Sequence, residues 1–338
     1  MKRIVFLFII CFGLIANGQQ KLTDYSKENY KKAVEYYKKK DNKKAIEYFT
    51  KVIQSFPKHS NSYLYRGKTY LRAGMYDLAK LDFNYLVTQK QLIDQAYLEL
   101  SKIESKQNRI KEAKELLNKS IDANPQRAES RYQYGMLMYK IRELDSAEVH
   151  LEKAQALAPE NNIYTNNLAG VKFTNKKYKD ALKLYRSIGG NDYQIKIARC
   201  HTMLNQPDSS INILKKLEND PKFGSKAMNE LGKLMIQTKE YNKAIDYFKK
   251  TLQKEQKTEY YINLSVAYIN LKQFKKGIES CETALKLNPN LKNAHYNLGV
   301  CYEGINDYIK ACESWQEAAS LGSEKAINHL NHPNCQDE

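Results

Sequence analysis

Between Lys292 and Ala319 the chain reads KNAHYNLGVCYEGINDYIKACESWQEAA, and its apolar residues recur at three- and four-residue spacing in two runs separated by a polar turn at Ile305–Asp307. That period gathers the apolar set on one face of a helix, so each run predicts an α-helix. Small residues mark where the two helices face each other: Gly299 in the first, Ala311 and Ala318 in the second. Leu298, Tyr302, Tyr308 and Trp315 fill the space around them. The unit is a helical hairpin with small residues set against large ones.

The same pattern runs through most of the chain. Small residues open the first helix of successive units at Ala33, Gly67, Ser101, Gly135, Ala169, Ala198, Gly232, Ser265 and Gly299, spaced by 34, 34, 34, 34, 29, 34, 33 and 34 residues. Twelve residues after each comes a second small residue: Ala45, Ala79, Ala113, Ala147, Ala181, Ser210, Ala244, Gly277 and Ala311. Four later stands a larger one: Phe49, Phe83, Leu117, Leu151, Tyr185, Leu214, Phe248, Cys281 and Trp315. Pro57, Pro125, Pro159 and Pro289 close four units by forbidding continuation of the second helix. Gly74, Asn108, Asn205 and Asn306 follow the first helix, where a left-handed residue stops it.

Over residues 26–321 these slots resemble the tetratricopeptide repeat, a helix–turn–helix unit of about 34 residues. The resemblance implies an all-α fold: a right-handed superhelical solenoid of about nine repeats, each burying its face against its neighbours. The expected organisation is a signal peptide over 1–18, a leader over 19–25, repeats one to five over 26–190, repeats six to nine over 191–322, and a capping helix with a polar tail over 323–338. The fifth unit is short, and its second helix ends at Gly189-Gly190-Asn191-Asp192. A hinge there would divide the array into two arms; a shorter connection that absorbs the deletion is the alternative. Asn191 or Asp192 is placed to cap the next helix. Ser323 is placed to cap a last helix whose inner face is Ala326, Ile327 and Leu330.

The first residues follow another logic. Lys2 and Arg3 precede an apolar run from Ile4 to Ile15, then Ala16-Asn17-Gly18. That is the pattern of a secretory signal peptide cut after Gly18, which makes the mature chain exported, to a periplasm or cell surface. An uncleaved anchor is the alternative, although the run is short for a membrane span. Ile9 and Ile10 before Cys11 exclude a lipoprotein signal. No later segment predicts a transmembrane helix.

Composition adds a charge of +17, unevenly spread: Ser26–His59 holds ten lysines against four acids, and Lys292–Gly322 two lysines against four. Nucleic acid is not expected as a partner, since no nucleic-acid module is visible and export argues against it. No phosphate-cradling loop or nucleophile turn is present, so no enzyme, cofactor or catalytic residue is expected. His329, His332 and Cys335 end the chain as H-x2-H-x2-C, but the spacing matches no common zinc framework, and no metal is expected. His150 and His201 read as surface or packing residues. Among Cys281, Cys301 and Cys312 a disulfide is open in an exported chain; the same residues also serve as small apolar fillers.

The family resemblance implies a ligand groove lined by the first helices, where an asparagine just before the repeat's leucine bonds a peptide backbone. Asn167, Asn263 and Asn297 occupy that slot, with Asn263 and Asn297 in adjacent units. An amide offers both a donor and an acceptor to an extended peptide. Tyr37, Tyr139 and Phe173 are placed to pack against such a ligand. Lys38, Arg72, Lys106 and Lys140 recur every 34 residues, and Lys68 and Lys102 stand one turn earlier, a ladder suited to an acidic partner or simply a solvated rim. The resulting expectation is a non-enzymatic interaction or scaffold protein of the bacterial envelope, binding a peptide or protein partner. The alternative is electrostatic binding of an acidic polymer or polyanionic glycan by the basic N-terminal arm. Homo-oligomerisation through an uncapped repeat face stays open.

Overall fold

The computed structural model describes residues 23–331 and Cys335; the expected signal peptide lies outside the described residues. All described regular structure is helical. Hairpins follow one another: α1 (Asp24–Lys38) with α2 (Asn42–Ser55), α3 (Ser60–Arg72) with α4 (Tyr76–Thr88), α5 (Ile93–Lys106) with α6 (Ile110–Ala123), and α7 (Ala128–Lys140) with α8 (Leu144–Leu157). Next come α9 (Asn162–Thr174), α10 (Tyr178–Ile188), α11 (Asn191–Met203), α12 (Pro207–Leu217), α13 (Gly224–Gln237) and α14 (Tyr241–Lys254). The chain continues through α15 (Thr258–Asn270), α16 (Phe274–Leu287), α17 (Lys292–Gly304), α18 (Tyr308–Ser320) and a short α19 (Glu324–Leu330). It divides into two compact units, one ending at Val171 and the other beginning at Lys172.

The small-against-large pattern is what closes each hairpin. Ala45, Ala79, Ala113, Ala147, Ala181, Ala244 and Ala311 are wholly buried, as are Phe49, Phe83, Leu151 and Phe248. A methyl group at Gly67 would stand 2.6 Å from the Phe83 ring, and one at Gly299 would collide with the Trp315 indole. The first helix can approach the second only because these positions lack a side chain. Between hairpins, the Arg66 guanidinium donates to both Asp82 carboxylate oxygens at 2.9 and 2.7 Å and to the Thr50 hydroxyl at 3.1 Å, joining α2, α3 and α4.

The turn after each first helix is left-handed in all nine hairpins. Gly74, Asn108, Asn205 and Asn306 have positive φ as expected, but so do Lys40, Arg142, Lys176, Lys239 and Lys272 in the same slot. Five turns therefore place a long cationic side chain in a conformation that disfavours it. The junction at Gln91, one of those without a closing proline, adds two more left-handed residues, Lys90 and Leu92.

Gly189 and Gly190 lie within the second unit between α10 and α11, with φ of +72° and +81°. Neither Asn191 nor Asp192 caps α11, which starts behind Gly190 without a side-chain cap. Asp192 instead forms an ion pair with Lys222 at 2.6 Å. Ser323 does cap α19, accepting from the Ala326 N–H, and Ala326 is buried in a cluster with Trp315 and Ala318.

The cysteines depart from expectation. Cys312 is bonded to Cys335, not to Cys281 or Cys301. Cys335 joins the Trp315 cluster, with its Cα 5.5 Å from that of Cys312. Cys281 and Cys301 remain thiols, both wholly buried, and fill the seam that Gly277 leaves open. Of the terminal H-x2-H-x2-C, Cys335 is held in the disulfide and His332 lies outside the described residues. His329 packs against Trp315 and Tyr296. His150 stacks on Tyr134 with centroids 3.9 Å apart, and His201 is buried between Arg186 and Gln206.

Candidate functional site

In the first unit the exposed face of the first helices is crossed by an ionic chain. Lys68 stands 3.5 Å from Glu99, Lys102 lies 3.1 Å from Glu99 and 3.5 Å from Glu129, and the Tyr164 hydroxyl donates to Glu129 at 2.8 Å. Glu99 is almost fully buried. Burial pushes the Glu129 carboxyl up, but Gln133, Lys102 and Tyr164 outweigh it and hold the group below its ordinary value. Asn167 is engaged too, donating to the Tyr132 hydroxyl at 3.2 Å and the Ile163 carbonyl at 2.8 Å. The polar side chains of this face serve one another.

The period-34 cations take another role. Arg72 donates to the Tyr37 carbonyl at 3.1 Å and to Asn42 Oδ1 at 2.7 Å, with its guanidinium over the Tyr37 ring. Lys140 donates to the Ser105 carbonyl at 3.2 Å and to Asn108 Oδ1 at 3.3 Å. Each reaches back to the C-terminal end of the preceding hairpin's first helix, where the helix dipole is negative. Lys38 and Lys106 are exposed and form no ion pair among the described residues. Tyr37 packs edge-on against Tyr65, and Tyr139 is half-buried in α7.

The second unit is built differently. Three cavities with shared lining residues lie along α13, between its neighbouring helices and loops. One of about 350 Å³ is lined by Phe173, Met203 and Leu234 together with Arg199 and Glu230. Arg199 and Glu230 also line the next, of about 280 Å³, beside Ile195, Asn229, Lys226 and Lys257. Lys226 and Lys257 then border a third of about 500 Å³, whose other walls include Lys222 and Lys254. At the shared wall Arg199 meets Glu230 at 2.5 Å, and Lys233 meets it at 3.1 Å. Burial raises the Glu230 carboxyl, but the two cations more than offset that and hold it below the usual carboxylate range. Lys196 lies 5.3 Å above the Tyr185 ring and 5.4 Å above that of Tyr193. Burial, and then the neighbouring Arg199, lowers its pKa.

The structure does not join Asn263 to Asn297. Asn263 donates to Asn229 Oδ1 at 2.8 Å, and Asn229 donates to Glu259 at 3.2 Å. Asn297 is buried and donates to the Ser265 hydroxyl at 3.0 Å. Of the expected groove residues, only Phe173 borders one of these cavities.

Four stretches match models of the tetratricopeptide repeat: residues 29–59, 94–127, 258–291 and, overlapping the last, 280–313. The chain carries tetratricopeptide repeats in these stretches. It is 24% identical over 201 residues to stress-induced-phosphoprotein 1 of Caenorhabditis elegans, a match covering 60% of this chain and 54% of that protein. It is 27% identical over 164 residues to the human intraflagellar transport protein 88 homolog, covering 47% of this chain and 16% of that one. The chain thus spans about half or less of these relatives. The crystal structure of yeast Tom70 superposes with a TM-score of 0.56 at 14% identity, covering 90% of this chain and 87% of that one, a likeness of fold.

Within this tetratricopeptide array, Asn229, Glu230, Arg199, Lys226 and Met203 were not legible as site residues. Asn229 stands 34 residues before Asn263, so the period connects them, but nothing in the sequence distinguishes it from other polar first-helix positions. Arg199 and Glu230 signal only as a cation and an acid one repeat apart.

Proposed function

We propose that this tetratricopeptide repeat protein is a non-enzymatic interaction protein of the bacterial cell envelope that binds a peptide or protein partner on the first-helix face of its second unit. One observation carries the reading: that face holds linked cavities with apolar and cationic walls, while the corresponding face of the first unit is occupied by its own ion pairs. Concave sites with apolar walls and a few convergent polar groups are where ligands bind. The envelope setting draws support from the N-terminal pattern and from the Cys312–Cys335 disulfide, a bond that persists in oxidising compartments. The second reading, capture of an acidic polymer by the N-terminal arm, draws support from exposed lysines such as Lys38, which has no ion pair among the described residues.

The test is a pull-down from envelope extract at low and high salt. Wild type is compared with a Phe173→Ala/Met203→Ala variant and a Lys38→Ala/Lys106→Ala variant. Loss of a discrete protein in the first variant alone supports the proposal. Release of heterogeneous polyanions by salt, with loss only in the second, overturns it in favour of the electrostatic reading.

A further inference from the structure

We infer that the second unit takes an extended segment carrying an apolar side chain and, about four residues away, a pair of carboxylates, laid along α11 and α13. This rests on the interaction reading above and adds the ligand's chemistry, spacing and direction.

The three cavities follow one course. The apolar end, at Phe173, Met203 and Leu234, lies by the C-terminal ends of α11 and α13. Met203 is 47% exposed there, large and apolar with room in front of it. The middle is bounded by Arg199 and Glu230, and the far end, at Lys226 and Lys257, lies by the N-termini of α13 and α15. The course runs along the helix axes and leaves over the loop between α12 and α13.

Charge changes along it. In the middle, Glu230 is engaged by Arg199 and Lys233, and Glu259 accepts from Asn229. This stretch offers hydrogen-bonding groups and little net charge. The far cavity has four lysines, Lys222, Lys226, Lys254 and Lys257, against Asp220 and Glu255. Asp220 accepts from the backbone N–H groups of Lys222 and Phe223, and Glu255 pairs with Lys257. Lys254 donates only to the Glu218 carbonyl among its described partners, and Lys226 is exposed without an ion pair among the described residues. Neither α13 nor α15 has a side-chain cap at its N-terminus, so the positive ends of two helix dipoles add to the lysines.

The spacing follows from the helix. Lys226 and Leu234 are eight residues apart on α13, roughly 12 Å of helix axis. An extended chain covers that in about four residues. A ligand with adjacent acidic and apolar residues, or with ten residues between them, cannot engage both ends while extended.

Fluorescence anisotropy on the intact chain tests this with synthetic 12-residue peptides. The probe carries a leucine four residues from a Glu-Asp pair; controls replace the pair with Gln-Asn or separate the elements by ten residues. The probe is expected to bind at least tenfold more tightly than either control. Lys226→Glu and Met203→Asp should each weaken it at least tenfold, while Lys106→Glu leaves it unchanged. Both binding-site substitutions alter exposed side chains, and a melting curve verifies that each variant folds. Equal binding of the Gln-Asn control, or no loss in Lys226→Glu, overturns the inference. A random 12-residue display library separates this from the broader reading. Neutral sequences captured by wild type and lost in Met203→Asp overturn the inference and keep the interaction site. If neither the probe nor any displayed peptide binds through this face, both fall.

Discussion

The first-helix faces of the two units use the same kinds of residue for opposite ends. Lys68, Lys102, Glu99, Glu129 and Tyr164 in the first unit meet side chain to side chain and leave beside them only a small cavity, of about 100 Å³, between Lys102 and Lys140. Arg199, Glu230 and Lys233 in the second also meet, but they form one wall between cavities that remain open on either side. Counting cations therefore misleads about where a partner binds. A cation opposite a carboxylate of the neighbouring repeat belongs to the stacking of the array. One that borders a cavity without such a partner, such as Lys226, is available to a ligand.

Substitution can break or sharpen this comparison. The largest stability effect is expected in the second unit, at its end. Cys335→Ser opens the loop closed by the disulfide, whose cysteines stand at a sequence separation of 23, and should destabilise the α17–α19 end by about 3 kcal/mol. A melting curve of the oxidised chain against the variant measures it, and dithiothreitol should reproduce the loss in wild type and leave the variant unmoved. The next effect lies in the first unit. Glu99→Ala removes the carboxylate shared by Lys68 and Lys102 and should cost about 2 kcal/mol by denaturant unfolding. Lys226→Ala, with no ion pair to lose, should stay within about 0.5 kcal/mol of wild type. Equal costs for these two would abolish the distinction between a filled face and an open one.

Acid should also separate the units. Burial, with Arg131 and Lys153, lowers the pKa of His150 in the first unit to about 4. Unfolded, the imidazole takes a proton near pH 6.5, while the folded protein refuses it until near 4. Stability from this residue is therefore full above the unfolded value and lost as pH falls through that window. Glu230 in the second unit, held below its ordinary value, gives stability that is full above the unfolded carboxylate value and lost only as pH falls below it. The first unit should weaken at the higher pH. His150→Phe should remove that early loss, read as melting temperature against pH. A gain is also expected: Lys239→Gly relieves a left-handed turn residue with φ of +63° and should stabilise the second unit by about 1 kcal/mol, read from a melting curve.

The repeat was legible because its packing is periodic. Gly67 against Phe83 and Gly299 against Trp315 are one contact made in different repeats, so the sequence had to repeat with it. The same reasoning anticipated Ser323 as a cap and Gly74 and Asn306 as left-handed turn residues, but not Lys40 or Lys272, whose side chains give no sign of that conformation. The site was far less legible. Arg72 and Lys140 carry the period expected of a binding ladder, yet they bond the preceding hairpin, because a carbonyl at a helix end attracts a cation as a ligand would. The Cys312–Cys335 pairing joins α18 to a residue beyond the last helix, a contact that no repeat pattern encodes.

The most direct test places a photocrosslinker, p-benzoylphenylalanine, at one position at a time in cells: at Met203 or Lys226 in the second unit, and at Lys68 or Lys102 in the first. Adducts to a discrete protein from Met203 and Lys226, and none from Lys68 or Lys102, are predicted. Adducts from Lys68 and Lys102 with none from Met203 and Lys226 would contradict the assignment of the binding face to the second unit.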